Sequence, residues 1–162
     1  MLGYQNYKTL VVGCGIKKEE GAWNVDILKE SAADEVLDIT NGLSYEDNSF
    51  DTVIADYVLC QICDRDKFKF VMNELHRVIS GGGTLKLKVP NAEFSTSFRD
   101  PMDCRYFIPE TFDHFNVDHY RYKVFNYGFK PWKIINIEKI GGANLLDHKD
   151  RLAVEMSPVK TK

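Results

Sequence analysis

The sequence lacks any long apolar run. None of its hydrophobic stretches approaches the roughly 20 residues of a membrane helix. The opening "MLGYQNYKTL" also lacks the basic-then-apolar order of a secretory signal. No membrane is expected as a partner, and a cytoplasmic location is. An excess of basic charge is missing too: the net charge is −3, with no block of one sign. That argues against general nucleic-acid binding through phosphate neutralisation. Cysteine is scarce, with Cys14, Cys60, Cys63 and Cys104 only. Cys60 and Cys63 form a Cys-x-x-Cys without a second such pair or a nearby Cys/His pair, so no metal site is expected. They read as small, half-buried residues at a strand end, and nothing marks secretion, so the thiols are expected to be reduced. Repeats, low-complexity tracts and linkers are absent, and 162 residues fit one domain over 1–162 with a core of its own.

What is present alternates strands and helices. Leu10 to Val12 is a short apolar strand stopped by Gly13. Trp23 to Ile27 and Glu35 to Ile39 read as the next two strands. Phe50 to Leu59, "FDTVIADYVL", is apolar on both faces for much of its length, as a central parallel strand is. From Arg65 to Ile79, Phe68, Val71, Met72, Leu75, Val78 and Ile79 recur at helical steps as one stripe. Asp64 can cap that helix, and Gly81-Gly82-Gly83 offers a left-handed stop. "TLKLKVP" follows as a strand. Pro109 to about Tyr127 looks helical, with Phe112 and Phe115 toward the core and Gly128 as its end. Trp132 to Ile140 and Leu152 to Met156 make a hairpin pair across "GGANLLDHKD". The fold expected is α/β: a Rossmann-like, doubly wound, mostly parallel sheet with a C-terminal antiparallel strand pair and no N-terminal helices.

The glycine turn "LVVGCG" raises the question of a ligand, because ligands of open α/β sheets sit beyond the C-terminal strand ends. A nicotinamide dinucleotide fits poorly. Its fingerprint needs a third glycine opening a helix and an acid about twenty residues on. Here Asp26 comes eleven residues after Gly15, and "IKKEEGAW" is too short for a crossover helix. A phosphate-binding P-loop fails, since no Gly-Lys-Ser/Thr occurs. A small adenosine cofactor without a pyrophosphate fits better. It needs a close-approach turn, a carboxylate that can accept from two ribose hydroxyls, and a polar group with an apolar wall for the adenine. Gly13 to Gly15, Asp26 and Asp38-Ile39 offer these at successive strand ends.

With "LVVGCG", "NVDI", "VLDITNGLSYEDNSFDTVIADYVL" and "NELHRVISGGGTLKLKVPN", the chain resembles a class I S-adenosylmethionine-dependent methyltransferase of the group sharing the type 11 methyltransferase domain. These pieces span roughly residues 9 to 91 in family order, and "RDPMDCRYFIPETFDHF" is similar to a segment of short members. The resemblance implies S-adenosyl-L-methionine as cofactor. Gly13, Cys14 and Gly15 would line its amino-acid end, and Asp26 with Ile27 would meet the ribose. Asp38 would meet the adenine amino group with Ile39 against the ring, and Asp56 and Tyr57 would lie beside the methionine portion. It also implies a core over 8–91, an acceptor or lid region over 92–128 and terminal strands over 132–158.

The chain departs from the family in its bare front end and nearly absent first crossover, which should uncover part of one sheet face. In "TLKLKV", Lys86 and Lys88 share one face against Leu85, Leu87 and Val89, as on a one-sided sheet. That face is expected to be open, or covered by a second copy or another partner. Where family members often carry a histidine, this chain has Asp103. Candidate bases for an acceptor hydroxyl are Asp100, Asp103, His114 and His119, with Tyr57 to orient the acceptor. His76 reads as half-exposed or hydrogen-bonded structure, and Glu74–Arg77 as a surface pair. "HYRYKVFNYGFKPWK" interleaves aromatic and basic residues; stacking on bases or sugars is one reading. An amphipathic helix end running into a strand is the favoured one. "ADYVL" stands where base-methylating enzymes carry Asn/Asp-Pro-Pro-Tyr/Phe, so a small-molecule or glycan acceptor is expected. Two classes stay open: an active methyltransferase, and a non-catalytic or vestigial cofactor-binding domain acting through a protein partner.

Overall fold

The computed structural model describes residues 3–141 and 150–160. Seven strands form one sheet in the order β3-β2-β1-β4-β5-β7-β6. They are β1 (Thr9–Val12), β2 (Trp23–Asp26), β3 (Glu35–Val36), β4 (Phe50–Asp56), β5 (Ile79–Pro90), β6 (Trp132–Ile140) and β7 (Arg151–Pro158). The first five pair in parallel, while β7 runs antiparallel to both β5 and β6. This is the Rossmann-like sheet expected, with β4 at its centre. Most of the expected hairpin loop lies outside the described residues.

Two helices complete the elements, α1 (Arg65–Val78) and the short α2 (Tyr120–Phe125). The Asp64 carboxylate caps α1, accepting from the amides of Asp66 and Lys67 at 2.9 and 2.8 Å. The glycine run does not end this helix. Ile79 is already extended, so the chain passes straight from α1 into β5. The glycines instead form an irregular stretch opposite β4, between the pairs Phe50–Ile79 and Thr52–Thr84. Gly83 is required there, because a Cβ would come within 2.7 Å of the Asp51 carbonyl oxygen.

The expected third strand is cut to Glu35–Val36, because the Asp38 carboxylate caps a 3-10 turn over Ile39–Asn41. The helix expected from Pro109 to Tyr127 is broken as well. A 3-10 helix covers Pro109–His114, and α2 follows after a gap. Phe112 and Phe115 are buried as expected, but α2 buries none of its residues, so it is not the amphipathic helix end read from the sequence. Packing of two buried phenylalanines fixes the first turns, whereas the last ones lie at the surface, with Phe125 against the His114 and Tyr127 rings.

The register separates two faces. Leu10, Val53, Leu85 and Met156 align in one row, and Val12, Ala55, Leu87 and Val154 in the next. All are buried in the single core under α1, together with Phe107, Phe112, Phe115 and Trp132. The opposite row reads Val11, Ile54, Lys86, Glu155 and Asn136. No helix among the described residues covers it at Lys86 and Lys88, whose side chains are 51% and 42% exposed. On that side the crossovers from β1 to β2 and from β2 to β3, over 13–22 and 27–34, carry no helix. Their turns cover only the β2 end, where Asn24 is fully buried and bonds to Glu19, Ala22 and Asp34.

Two sequence expectations about α1 resolve differently. His76 is structural: it is 7% exposed, sits edge-on to Trp132 at 5.1 Å, and its Nε2 lies 3.0 Å from the Pro131 carbonyl oxygen. Glu74–Arg77 is more than a surface pair. Arg77 donates to both Glu74 oxygens at 2.8 Å, to the carbonyls of Leu43 and Tyr45, and to Asp47. Glu74 also accepts from the Leu43 amide at 3.0 Å. The pair clamps the 42–47 loop onto α1, and the guanidinium beside Glu74 holds that carboxyl below its ordinary value.

Candidate functional site

Two adjoining clefts open at the C-terminal ends of the strands. The first holds about 370 Å³ and gathers Gly13, Asp26, Ile27, Asp38, Ile39, Asp56 and Tyr57. These come from four separate loops, as the sequence reading expects. Cys14 and Gly15 sit on the same turn but do not line the cleft.

Backbone geometry explains the turn. Gly13 has φ +71°, and its amide donates to the Val25 carbonyl at 2.8 Å. A Cβ here would meet the Val58 side chain at 2.4 Å, so a larger residue would both strain the backbone and fill the cleft wall. Asp26, 7% exposed, accepts from the Gly15 amide at 2.7 Å and from the Leu28 amide at 2.9 Å. Each carboxylate oxygen has a second lone pair, so capacity for hydroxyl donors remains. Burial and the nearby Asp26 charge push the Cys14 thiol up, which keeps it protonated. Asp38 accepts from the Thr40 amide and hydroxyl at 2.9 and 2.8 Å. Asp56 is paired with Lys88 at 2.6 Å.

The second cleft, about 350 Å³, shares Tyr57 and Gln61 with the first. Tyr57 takes the left-handed region, φ +58°, which is uncommon for a bulky side chain. Its amide donates to the Lys88 carbonyl at 2.8 Å, which holds it there. Among the described residues, Asp100, Asp103 and Asp150 line the cleft with Arg99 as their one cation. The Asp103 Oδ1 is buried without a hydrogen-bond partner among the described residues. Burial first, then contact with the Asp103 carboxylate, drives the Cys60 thiol far up, so Cys60 stays neutral.

A cross-link that the sequence reading missed positions Asp103. Cys63 and Cys104 form a disulfide, which corrects the expectation of reduced thiols and of a strand-end Cys60/Cys63 pair. The amides of Cys104 and Arg105 both donate to the Cys60 carbonyl, at 2.9 and 3.0 Å. Segment 103–105 is thereby docked on the loop that carries Gln61. Nothing in the spacing of two cysteines 41 residues apart signals this pairing. The structure does not bring the two candidate histidines to either cleft. His114 stacks on Tyr127 at 5.4 Å, and His119 caps α2 with its Nε2 3.6 Å from Asp113.

A glycine turn and an acid closing the next strand, at the C-terminal edge of a sheet ordered 3-2-1-4-5-7-6, define the class I methyltransferase fold. Residues 10–87 match the family model described as a methyltransferase domain. Over that stretch, a little under half of the chain, the sequence is similar to a methyltransferase domain, and the chain has the fold of solved S-adenosylmethionine-dependent methyltransferases. Among solved structures, a SAM-dependent methyltransferase from Methanosarcina mazei aligns with TM-score 0.65 at 14% identity, covering 93% of this chain and 92% of that one. The N-methyltransferase NodS from Bradyrhizobium japonicum, in complex with S-adenosyl-L-homocysteine, aligns with TM-score 0.65 at 12% identity, covering 95% and 79%. A methyltransferase in complex with the Haloferax volcanii Trm112 activator aligns with TM-score 0.63 at 14% identity, covering 94% and 83%. No curated protein sequence matches the chain. No helix among the described residues is long and apolar enough to cross a membrane.

Proposed function

We propose that the protein methylates a small-molecule or glycan acceptor seated in the Asp103 cleft, with the cofactor in the Asp26 cleft. The observation that carries this reading is the wall the two clefts share at Tyr57 and Gln61. A cofactor site of about 370 Å³ lies within the range of small-ligand pockets. Asp26 would accept from the ribose hydroxyls, and Gly13 to Gly15 would admit the amino-acid end. Asp38 and Ile39 would hold the adenine, and Asp56 and Tyr57 would flank the methionine portion. Bound S-adenosylmethionine supplies a methyl group on a positively charged sulfur.

The chain's own residues then have two tasks, alignment of the acceptor and exclusion of water. Tyr57, fixed by its left-handed backbone, stands between the two clefts. Asp103 is suited to accept the hydrogen bond or proton of the acceptor's nucleophilic group, since its buried Oδ1 has no hydrogen-bond partner among the described residues. Asp100 is partly committed, as its Oδ1 takes the Met102 amide at 2.9 Å. The whole chain is one domain in this reading, with segment 92–128 as acceptor region. The open β5–β7 face is where a second copy or another partner would sit.

Calorimetric titration with S-adenosylmethionine and S-adenosylhomocysteine, with NAD as control, tests the reading. Micromolar binding of both adenosine ligands, lost in Asp26→Ala, is expected. Asp103→Asn should keep that binding and lose transfer to acceptors identified by screening. Failure of both ligands to bind the wild-type chain overturns the proposal.

A further inference from the structure

A third cavity, of about 650 Å³, shares no lining residue with either cleft. Its walls come from the first turns of α1 and from the chain beyond the disulfide, between 104 and 129. Nothing in the methyl-transfer reading uses it.

Its charge runs against that of the whole molecule. Arg65, Lys69 and Arg105 line it with one carboxylate, Asp66, in a chain of net charge −3. Asp66 meets Lys69 at 3.4 Å in an exposed pair, which offsets little in water. Arg105 is held in place by neutral groups. Its guanidinium lies over the Phe68 ring, 4.1 Å from the centroid, and donates to the carbonyls of Cys63 and Asp64 at 3.2 and 3.1 Å. These carbonyls orient the cation, and the Asp64 carboxylate, bound to the amides of Asp66 and Lys67 at the start of α1, offsets part of its charge. Arg65 makes no hydrogen bond or ion pair among the described residues. The result is a positive potential inside a concave wall, where field lines concentrate.

The rest of the wall is aromatic. Phe68, Phe115 and Phe129 pack around one another with centroid distances of 6.4, 6.0 and 4.7 Å. Tyr127 stacks on His114 at an interplanar angle of 30° and is itself half exposed. Flat rings favour a flat guest, through stacking and edge-to-face contact. Guanidinium and ammonium groups favour an anion, and charge-assisted bonds are the stronger kind. The volume suits a small molecule.

We propose that this cavity is a second binding site, separate from the cofactor cleft, for a small planar aromatic ring that carries a carboxylate, phosphate or sulfonate. The ring lies against Phe129 and Tyr127, and the anionic group pairs with Arg65 and Lys69. Arg105 supplies the fixed positive charge behind them.

The test is titration of the full chain with 2-naphthoate and its neutral analogue 2-naphthamide, followed by amide-resolved NMR, with and without saturating S-adenosylhomocysteine. Naphthoate should bind about tenfold more tightly than the amide, as charge-assisted pairing predicts. It should move signals at 65–69, 104–107 and 127–129, and the homocysteine ligand should not compete. Arg65→Gln and Lys69→Gln should each erode the preference for the anion while leaving the thermal midpoint unchanged, because both side chains lie on the surface of α1. Equal binding of the two probes, no binding at millimolar concentration, shifts confined to residues 13–15 and 26–28, or an undiminished preference in both variants overturns the proposal.

Discussion

One set of strands builds two unlike faces. On the side under α1, Leu10, Val53, Leu85 and Met156 lie side by side and fully buried. On the other, one residue along each strand, Val11, Ile54, Lys86 and Glu155 form the matching row, and its end toward Lys86 and Glu155 is charged and exposed. Alternation along a strand makes the difference possible, and the absence of a covering helix on that side of β5 and β7 among the described residues leaves it exposed. The buried face is held by burial of apolar surface, whose contribution scales roughly with the area removed from water. The open face is held by backbone ladders and by ion pairs in water, which add little. The two clefts lie at the strand ends between the two regimes, where backbone strain at Tyr57 and an Asp103 Oδ1 without a hydrogen-bond partner among the described residues persist.

The sharpest way to break this comparison is to cut into the covered face. Trp132 is fully buried, and its Nε1 has no hydrogen-bond partner, so it contributes through packing. Trp132→Ala should cost about 3–5 kcal/mol in denaturant unfolding, whereas Trp132→Phe should cost clearly less. A loss below about 1 kcal/mol for the alanine variant would mean that this face is not where the stability resides. Next in size is Arg77→Ala, which strips partners from the Leu43 and Tyr45 carbonyls and from Glu74. About 2–3 kcal/mol is expected from the groups left unpaired, with faster amide exchange over 42–47.

The pH dependence sharpens the comparison further. Burial first, and then the Lys160 charge, lower the His76 pKa from 6.5 to about 4, against the opposing hydrogen bond to the Pro131 carbonyl. The unfolded chain therefore binds a proton that the folded one refuses. Stability from this source is complete above about pH 6.5 and is lost as pH falls toward about 4. The loss should be on the order of 2 kcal/mol, and His76→Gln should flatten that part of the profile. The smallest effect is expected on the open face. Lys86 and Glu155 are 3.7 Å apart and about half exposed. Lys86→Ala or Glu155→Ala should change stability by less than about 1 kcal/mol. A larger loss would show that a second molecule covers this face in solution, and sedimentation would then find the assembly.

The mostly parallel sheet, its antiparallel end pair and the Asp26 cleft were legible because their signals are local. Apolar runs, the Gly13 turn and the acids after β2 and β3 all fall within short stretches whose periodicity can be read directly. Lys86 and Lys88 likewise announced the open face through alternation alone. The misreadings cluster where distant segments meet. Glu74 and Arg77 looked like a solvated pair because the 42–47 loop that they hold is invisible to helical spacing. The expected helix from Pro109 to Tyr127 failed because the helical pattern did not reveal which turns would find a core to pack against.

By itself, then, the sequence determined the mostly parallel sheet with its antiparallel C-terminal pair, the one-sided face and most of the residues that gather at the Asp26 cleft. These follow from backbone sterics and from the two-residue alternation of a strand, which each short segment carries within it. The tertiary structure alone decided the Cys63–Cys104 link, the company of Asp103 with Tyr57, the exclusion of His114 and His119 from the clefts and the cationic aromatic cavity beside α1. Each of these joins groups some 40 or more residues apart, or separates groups that share a stretch of chain. Only closure of the core sets such distances, because no local preference of the backbone encodes them.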